Sequence, residues 1–414
     1  MTGERAVPRR VDVLVVGAGP AGLAAAARLA AAGAGRVEVL ERETQPGGVP
    51  RHCAHGGFGT WTRPLTGPGY ARLLTRAAER AGATLRTGVT ALDWAADAPV
   101  LTAVGPGGPE TIEARAVVLA TGARERPRTA RLVPGTRPAG VYTTGELQQA
   151  VHLFGQHIGT RAVVAGAEDV SYAAAATVRA AGAEVVALVT EHPRAQAGRA
   201  RVQRARLGHG IPLLTGTTVT ELLGRGRLSG VRVRHRDGRT AVLPCDTVVF
   251  TGDFLPEHEL ARRGGILLDP GTRGPAVGGS AHTSRPGVFA AGNLLHAVEE
   301  AGTAAREGAR AGRAVLDFLA GAPWPDPGVP VTVAAPLRWI APNRVQAAAP
   351  PDRHVLRTGT PLPRPVLYVR QDGRLLHRER LGPATALPGR TLTLGTRWHG
   401  RVDPGGGEIR VATE

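Results

Sequence analysis

A glycine-rich turn near the amino terminus has the residue types and spacing that bind a diphosphate. The turn, Gly17-Ala18-Gly19-Pro20-Ala21-Gly22, follows an apolar run at residues 11–16 that predicts a buried parallel strand. Gly17 allows a tight turn, Gly19 lets a diphosphate approach the backbone, and Gly22 permits close packing of the following helix on the strand. The amino end of that helix stabilises the diphosphate charge. Glu41, at the end of the next predicted strand, would accept hydrogen bonds from ribose hydroxyls. We therefore predict a dinucleotide site that comprises Gly17, Gly19, Pro20, Ala21, Gly22, Glu41 and Arg42.

The elements around this turn predict a βαβ unit, and a second unit of the same kind follows later in the chain. An alanine-rich helix at residues 21–32, with Pro20 in its first turn and Gly33 as its stop, leads to a strand at residues 37–40. The second unit is a strand at 161–165, a helix at 171–181 and a strand at 185–189. Further predicted elements are a helix at 70–81, buried strands at 117–120, 248–251 and 287–291, and a long helix at 302–319. Alternating strands and helices predict parallel sheets.

The composition changes after residue 321. Pro323, Pro325 and Pro327 mark a linker, and alternating segments at 329–333, 366–370 and 375–380 predict strands, the last two joined by the hairpin signal Asp372-Gly373. The predicted fold class is α/β, with two Rossmann-like dinucleotide-binding domains, the second inserted in the first, and a small C-terminal antiparallel β domain. The predicted boundaries are 8–128 and 245–322 for the two parts of the first domain, 129–244 for the inserted domain and 328–414 for the β domain.

Three further segments resemble the FAD-dependent pyridine nucleotide–disulfide oxidoreductase superfamily. Residues 117–122 (VVLATG) and 248–252 (VVFTG) resemble two copies of its turn near the nucleotide, and residues 287–293 (GVFAAGN) resemble the motif that contacts the FAD ribityl chain. Asn293 replaces the usual aspartate, but an amide oxygen still accepts a hydrogen bond from a ribityl hydroxyl. The resemblance implies FAD as the cofactor of the first domain. The further FAD contacts predicted are Gly48, Val49, Ala120, Thr121, Gly122, Gly292, Asn293 and Ala301.

The loop at residues 47–59 (GGVPRHCAHGGFG) lacks the redox cysteine pair of the disulfide reductases. Cys53 stands alone in it and Cys245 begins a distant predicted strand, so we do not expect thiol–disulfide exchange. This loop and residues 140–147, 245–259 and 337–343 resemble FAD-dependent dehydrogenases related to the A-type subunits of opine and amine oxidases and of hydrogen cyanide synthase, and to companions of glycerol-3-phosphate dehydrogenase. The resemblance implies a partner that is a second flavoprotein subunit. The oxidase A subunits usually carry an iron–sulfur cysteine cluster, which two cysteines cannot build.

Cys53 and His55 are the catalytic candidates in this loop. Imidazole titrates near neutrality, so His55 suits acid–base work beside the flavin; the alternative is a histidine packed against the flavin or the loop backbone. Cys53 is either a redox or adduct-forming residue or a buried structural thiol. The spacing of His52, Cys53 and His55 is too tight for a tetrahedral metal site without distant ligands, so we expect no metal.

The second glycine motif is degenerate. Gly166-Ala167-Glu168-Asp169-Val170-Ser171 stands where a second dinucleotide turn belongs, and Glu168 would crowd and repel a diphosphate. Glu191, at the end of the following strand, would suit a ribose hydroxyl, so Gly166, Ser171 and Glu191 are the candidate NAD(P)H contacts. The alternative is a nucleotide-type domain kept for its structure.

Two acidic residues, Glu299 and Glu300, precede the helix predicted at 302–319. In the family resembled, the amino end of this helix faces the pyrimidine edge of the flavin. Carboxylates are stabilised at the positive end of a helix, so capping is one interpretation. Binding of an amine substrate is the other.

Composition narrows the classes of function. The 51 basic residues are all arginine, spread along a chain of net charge +17, and aromatic residues make up only 4%, so we expect no nucleic-acid partner. Without a lysine, the chain can form neither a pyridoxal Schiff base nor a P-loop. No apolar run is long enough to span a bilayer, and the run after Arg9-Arg10 is too short for an export signal, so we expect a cytoplasmic protein.

The leading hypothesis is an FAD-dependent dehydrogenase or electron-transfer subunit that passes a hydride to or from flavin N5. It would use a small-molecule substrate and work with a partner flavoprotein that oxidises an amine, an opine or glycerol phosphate. One alternative is a self-contained NAD(P)H-dependent reductase of a small acceptor. Another is a non-catalytic assembly subunit that carries FAD and docks through its β tail.

Overall fold

The computed structural model describes residues 8–95, 99–297, 299–346, 353–382 and 385–413, so Glu414, the last residue of the predicted β domain, lies outside the described residues. The α-helices, in chain order, are α1 Pro20–Ala31, α2 Gly67–Arg80, α3 Thr144–His152, α4 Asp169–Ala180, α5 Arg199–Gln203, α6 Glu259–Arg263 and α7 Ala301–Leu319. The strands, in chain order, are β1 Arg9–Val16, β2 Val37–Glu41, β3 Gly56–Gly59, β4 Pro64–Thr66, β5 Thr84–Thr87, β6 Thr90–Trp94, β7 Val100–Gly105, β8 Gly108–Leu119, β9 Ala123–Glu125, β10 Val141–Thr143, β11 Arg161–Ala165, β12 Glu184–Val189, β13 Leu213–Leu214, β14 Thr217–Arg225, β15 Arg227–His235, β16 Thr240–Leu243, β17 Thr247–Phe250, β18 Phe254–Pro256, β19 Val288–Ala290, β20 Val329–Val333, β21 Leu337–Ala341, β22 Arg344–Val345, β23 His354–Thr358, β24 Val366–Gln371, β25 Arg374–Arg380, β26 Leu392–Leu394 and β27 Ile409–Thr413.

The chain forms two compact units, each assembled from separate stretches of sequence. The first unit comprises Met1–Arg51, Phe58–Ala123 and Pro256–Glu414, and the second comprises His52–Gly57 and Arg124–Leu255. The C-terminal strands belong to the first unit. The domain boundaries given by the sequence remain a prediction.

The first unit is built around a mixed sheet in the order β5-β2-β1-β8-β7-β6, with β19 beside β8. Strands β5, β2, β1, β8 and β19 run parallel, and β6 and β7 form an antiparallel edge. Side chains alternate between its two faces, as strand geometry requires. Val13 and Val15 join one buried cluster with α1 and α7, and Leu14 and Val16 join the other.

Helices α1 and α7 pack against each other at a glycine. A Cβ on Gly308 of α7 would lie 1.9 Å from the carbonyl oxygen of Ala21, so no larger residue fits without separating the helices. One turn later, a Cβ on Gly312 would lie 3.2 Å from the Ala25 carbonyl oxygen. This packing fixes the amino ends of both helices at the same region of the first unit.

The second unit has a five-stranded sheet in the order β10-β17-β11-β12-β13, whose pairs are all parallel. Its core joins the sheet to α3 and α4. An antiparallel sheet, β14-β15-β16, covers a second cluster that includes Val163, Leu222 and Val248. Strands β20 to β27 of the first unit, which we call the β domain, form the sheets β22-β20-β27-β24-β25 and β21-β23-β26 around a core that contains the fully buried Trp398. The prediction of a purely antiparallel arrangement is wrong, because β20 and β27 pair in parallel.

The α/β fold class is confirmed, and most predicted elements are present within a few residues of their predicted ends. Pro20 is the first residue of α1, and β11 and β20 have their predicted bounds. The hairpin at Asp372-Gly373 is present, with positive φ at both residues. Helix α2 begins three residues early because the Thr66 hydroxyl accepts a hydrogen bond from the Gly69 N–H and caps it.

Candidate functional site

The first glycine turn, residues 17–22, has the geometry of a diphosphate site. Gly17 has φ +105°, and a Cβ there would lie 2.4 Å from the Ala120 carbonyl oxygen. A Cβ at Gly22 would lie 1.9 Å from the Gly17 carbonyl oxygen, whereas a Cβ at Gly19 would meet no protein atom within 4 Å. No side chain caps the amino end of α1. Its backbone N–H groups are therefore available to a ligand at Gly19.

The Gly292 turn lies directly against the first glycine turn. Strand β19 pairs with β8, and the Ala291 N–H donates to the Leu119 carbonyl oxygen at 3.0 Å. Gly292 has φ +76°, and a Cβ there would lie 2.6 Å from the Ala21 Cβ. Two motifs separated by 270 positions thus converge on one place in the first unit, as a single bound dinucleotide requires.

Glu41 and the loop at Gly48 complete the surroundings of the first glycine turn. Glu41 is buried, and its carboxylate accepts hydrogen bonds from the Ala18 N–H at 3.0 Å and the Glu43 N–H at 2.9 Å. Gly48 has φ +60°, and a Cβ on Gly48 would lie 2.8 Å from the Cα of Gly19. Arg42 and Val49 are exposed, immediately beyond Glu41 and Gly48 in the chain.

The turn at Thr121 and Gly122 is held by the backbone of Glu257. The Thr121 hydroxyl donates to the Glu257 carbonyl oxygen at 2.7 Å, and the Glu257 N–H donates to the Gly122 carbonyl oxygen at 2.9 Å. The Ala120 N–H donates to the Val16 carbonyl oxygen at 2.9 Å, which fixes Ala120 beside the end of β1. This segment therefore lies beside the first glycine turn.

Asn293 binds the backbone of Glu299. The Glu299 N–H donates to Asn293 Oδ1 at 3.0 Å, and Asn293 Nδ2 donates to the Glu299 carbonyl oxygen at 3.4 Å. An aspartate could make only the first of these bonds, since it has no donor. The amide thus fixes the residues that precede α7, and Oδ1 keeps a lone pair for a further donor. Glu300 is the N-cap residue of α7, and its side chain makes no capping hydrogen bond, so stabilisation of the helix end by the charge of Glu299 and Glu300 stays a prediction.

In the second unit, Cys53 and His55 have different surroundings. Cys53 is buried, its Sγ lies 3.4 Å from Gln148 Oε1, and burial raises the pKa of the thiol to about 12. Cys245 is also buried, with a thiol pKa that burial raises to about 11. Both cysteines are free thiols, and neither is primed for thiol–disulfide exchange. His55 is half-buried, with Nδ1 2.7 Å from the Gly56 carbonyl oxygen.

Glu125 is a buried carboxyl that the sequence did not single out. Its oxygens accept hydrogen bonds from the Gly145 N–H at 3.0 Å and the Gly252 N–H at 3.2 Å. Burial outweighs these bonds and raises its pKa to about 7. Its carboxylate charge in turn contributes to the raised pKa of Cys53. The sequence feature that could have identified Glu125 is its position three residues after the Thr121-Gly122 turn.

The second glycine turn, residues 166–171, is closed by its own side chains. Glu168 is the N-cap of α4 and forms a capping box with Ser171, whose hydroxyl donates to Glu168 Oε2 at 2.8 Å. Ser171 Oγ also lies 2.6 Å from Thr251 Oγ1. A Cβ at Gly166 would lie 1.9 Å from Thr251 Oγ1 and 2.8 Å from Glu168 Oε2. The Glu168 carboxylate thus lies inside the second turn, next to Gly166, where its negative charge would repel a diphosphate.

The other candidate contacts of the second turn also differ from those of the first. The Glu191 side chain is 72% exposed, and its ion-pair partner is His192 at 3.9 Å. Arg201 is engaged by Asp169 at 3.0 Å. The second turn therefore has an acidic amino end on its helix and an exposed acid at the following strand, whereas the first has neither.

Neither a membrane-spanning helix nor a group of metal ligands is found among the residues that the structure describes. No helix in the described part of the chain combines the length and apolarity needed to cross a membrane. Across the same residues, no three His, Cys, Asp or Glu side chains are grouped as a metal would require.

The two Rossmann-like sheets, with the first glycine turn meeting the Gly292 turn, define the class of flavin-type pyridine nucleotide oxidoreductases. Residues 11–308 match the family model described as pyridine nucleotide-disulphide oxidoreductase, and the chain belongs to that family. The family is FAD-dependent and uses NAD(P)H, which confirms the cofactor prediction at the level of the family. The chain is an oxidoreductase.

Known proteins similar to this chain include different members of the family. A thioredoxin reductase of Mycolicibacterium smegmatis is 33% identical over 307 residues, which are 72% of this chain and 94% of that protein. The A subunit of opine oxidase from Rhizobium meliloti is 30% identical over 318 residues, 68% of this chain and 58% of that protein. The fold resembles that of T. acidophilum thioredoxin reductase, with TM-score 0.63 and 24% identity, over 75% of this chain and 99% of that one.

Proposed function

We propose that this chain is an FAD-dependent dehydrogenase or electron-transfer subunit that works with a partner flavoprotein oxidising an amine, an opine or glycerol phosphate. The observation that carries the proposal is the contrast between the two glycine turns. The first is open at Gly19 and meets the Gly292 turn, whereas the second is filled by the Glu168 carboxylate. Electrons would therefore enter from an organic substrate or a partner rather than from NAD(P)H.

The residues of the first unit have distinct roles in this proposal. The first glycine turn and the amino end of α1 bind the diphosphate of FAD, and Glu41 accepts a ribose hydroxyl with a carboxylate already oriented by the Ala18 N–H. Gly48, Val49, the turn from Ala120 to Gly122, Asn293 and Ala301 line the rest of the cofactor. FAD supplies the chemistry, a hydride accepted or released at N5.

Residues of the loop at 47–59 are the candidates for proton transfer. His55 is half-buried and suited to exchange a proton with substrate. Cys53, with a pKa of about 12, stays a neutral thiol at pH 7 and serves packing rather than redox chemistry. The opine oxidase relative supports the proposal of a partner, since its name implies a multi-subunit enzyme and this chain spans 58% of its length.

Purified chain, saturated with FAD, tests the proposal. We expect a flavin absorption spectrum and slow bleaching on anaerobic stopped-flow mixing with NADH or NADPH. Amines, opines and glycerol phosphate, each with and without the partner flavoprotein, are then compared, and dithionite gives the fully reduced reference. The rate of bleaching at the flavin band is the measurement.

Each of the other outcomes would indicate a different function for this chain. Fast bleaching by NADH or NADPH would establish a self-contained reductase of a small acceptor, the function that the thioredoxin reductase relative favours. Bound FAD without turnover of any substrate, even with the partner, would establish a non-catalytic assembly subunit. A colourless protein that does not bind added FAD would refute all three functions, the proposed one and both alternatives.

A further inference from the structure

The residues that lead into α7 are bound by side chains of the C-terminal β domain. Glu299 lies two residues before the start of α7, and its carboxylate contacts Arg357 of β23 at 2.8 Å. The Thr391 hydroxyl donates to the same carboxylate at 2.7 and 2.9 Å. The Glu299 and Arg357 side chains are 5% and 10% exposed, so the pair is almost removed from water. Loss of either partner would take from the other its opposite charge at 2.8 Å, which is costly at a site almost removed from water.

An aromatic side chain of the same domain supports this ion pair. Trp339 of β21 has its ring centroid 5.8 Å from the Arg357 guanidinium carbon and 5.6 Å from the His296 ring, which stacks on it at 20°. His296 Nε2 in turn lies 2.9 Å from Oε1 of Glu307 in α7. The β domain therefore contacts the segment between Asn293 and α7 at two residues, His296 and Glu299.

The β domain is itself anchored to the nucleotide-binding part of the first unit. The Val277 N–H donates to Asn343 Oδ1 at 2.9 Å, and the Asn343 N–H donates to the Val277 carbonyl oxygen at 3.1 Å. Asn343 is buried, so these bonds are protected from water. The family match ends at residue 308, so every β-domain residue of this arrangement lies beyond it.

We propose that the C-terminal β domain sets the position and the net charge at the amino end of α7, and through it tunes the bound flavin. The inference rests on the proposed function, which has FAD at Asn293 and Ala301. A helix amino end favours negative charge on a ligand, and an uncompensated carboxylate two residues ahead of it would oppose that effect. Arg357 is the positioning residue: it neutralises Glu299, while Asn293 fixes the Glu299 backbone.

Two single substitutions test the inference with opposite expected signs. Arg357→Met removes the positive charge nearest to Glu299, so reduced FAD should bind at least tenfold more weakly relative to oxidised FAD, a fall in flavin potential of about 30 mV. Glu299→Gln removes one negative charge next to the amino end of α7 and should raise the potential. Potentials are measured by dye equilibration of the full chain at saturating FAD, after circular dichroism has verified the fold.

Two further variants separate local charge from general effects. Arg344→Met removes a half-buried arginine of the same domain that binds the backbone carbonyl oxygens of Pro327 and Gly328, and should leave the potential unchanged. The double variant Arg357→Met, Glu299→Gln restores a neutral pair and should return close to the wild-type potential. Folded, FAD-bound single variants with the wild-type potential would overturn the inference, and if Arg357→Met does not fold, Glu299→Gln decides alone. Failure of the wild-type chain to bind FAD would instead refute the proposed function.

Discussion

The two glycine turns share a backbone and differ in what meets the amino end of the helix. In each turn the first glycine has positive φ, +105° at Gly17 and +144° at Gly166. In each, its N–H donates to the end of the next strand, to the Leu40 carbonyl oxygen at 2.8 Å or the Val189 carbonyl oxygen at 2.7 Å. The N-cap residue of α1 is Gly19, which has no side chain, whereas that of α4 is Glu168, whose N–H donates to Ser171 Oγ at 3.1 Å and whose carboxylate accepts from it at 2.8 Å. The same strand–turn–helix backbone therefore presents different chemical groups to a ligand in the two units.

The acids at the ends of the following strands extend the comparison. Glu41 is buried and accepts a hydrogen bond from the Ala18 N–H, so its carboxylate is oriented toward the first turn. Glu191 is 72% exposed at the corresponding place in the second unit. A preoriented acceptor binds a ribose hydroxyl with a smaller loss of side-chain entropy than an exposed one. Both differences favour ligand binding at the first turn.

The largest expected effect comes from equivalent glycine substitutions in the two turns. In Gly17→Ala the new Cβ meets backbone, 2.4 Å from the Ala120 carbonyl oxygen, at a φ that alanine disfavours. We expect FAD affinity to fall at least a hundredfold, about 2.7 kcal/mol. In Gly166→Ala the nearest atoms are side-chain oxygens, led by Thr251 Oγ1, so FAD affinity should remain that of the wild type.

Flavin absorbance per chain after gel filtration, followed by titration with added FAD, measures both variants. Equal loss of FAD from both would show that the two turns contribute to one binding event. Retention of FAD by Gly17→Ala would remove the first turn from the cofactor site.

Sequence reasoning succeeded where a property is local. The spacing of turn, helix and strand predicted the tight backbone approaches at Gly17 and Gly22, and Pro20 begins α1 as predicted. The binding roles of Gly17, Gly22 and Glu41 stay predictions. The sequence also identified Glu168 as an obstacle, from its charge and position. It did not show that Ser171 and Thr251 hold that carboxylate, because Thr251 is 83 positions away.

Contacts between distant segments account for the rest. Arg357 and Glu299 are 58 positions apart, and a chain with 51 basic residues offers no pattern that selects this arginine. The closeness of Gly292 to Ala21 was inferred from the family resemblance rather than from spacing. The three-stranded sheet β14-β15-β16 was missed because its alternating segments lie between stronger βαβ signals.

Glu125, whose carboxylate accepts a hydrogen bond from the Gly252 N–H in the second unit, makes the stability of the chain depend on pH. Its pKa is about 7 in the folded chain against 4.5 for the ordinary group, so the folded state binds the proton more tightly than the unfolded state does. The contribution of Glu125 to stability is therefore greatest below pH 4.5, falls as pH rises to 7 and then levels off. The expected loss is on the order of 2 kcal/mol.

Urea unfolding between pH 5 and pH 8 measures this loss, and Glu125→Gln is the control. The amide cannot ionise, so the variant should lack that part of the slope and be the more stable protein at pH 8. A wild-type chain whose pH slope equals that of Glu125→Gln would show that Glu125 is ionised in the folded state at lower pH than its burial implies.

The smallest expected effect is a gain of binding at the second turn. Glu168→Gly removes the carboxylate from the place of a phosphate and frees N–H groups at the amino end of α4. NADH should then bind at least tenfold more tightly than to the wild type, about 1.4 kcal/mol. Loss of the cap costs the fold about 1 kcal/mol, which a chain of this size tolerates. Fluorescence titration with NADH measures the affinity.

Two controls separate the causes of that gain. Glu168→Gln keeps the size of the side chain and removes its charge, so a gain in both variants identifies repulsion as the obstacle, and a gain in Glu168→Gly alone identifies crowding. Glu184→Gln makes the same change of net charge at a carboxylate that is 63% exposed, and should leave NADH affinity unchanged. If Glu168→Gly binds NADH no better than the wild type, the capping box is not what distinguishes the turns. The difference would then lie in the exposed Glu191, whose side chain is not oriented toward the second turn as Glu41 is toward the first.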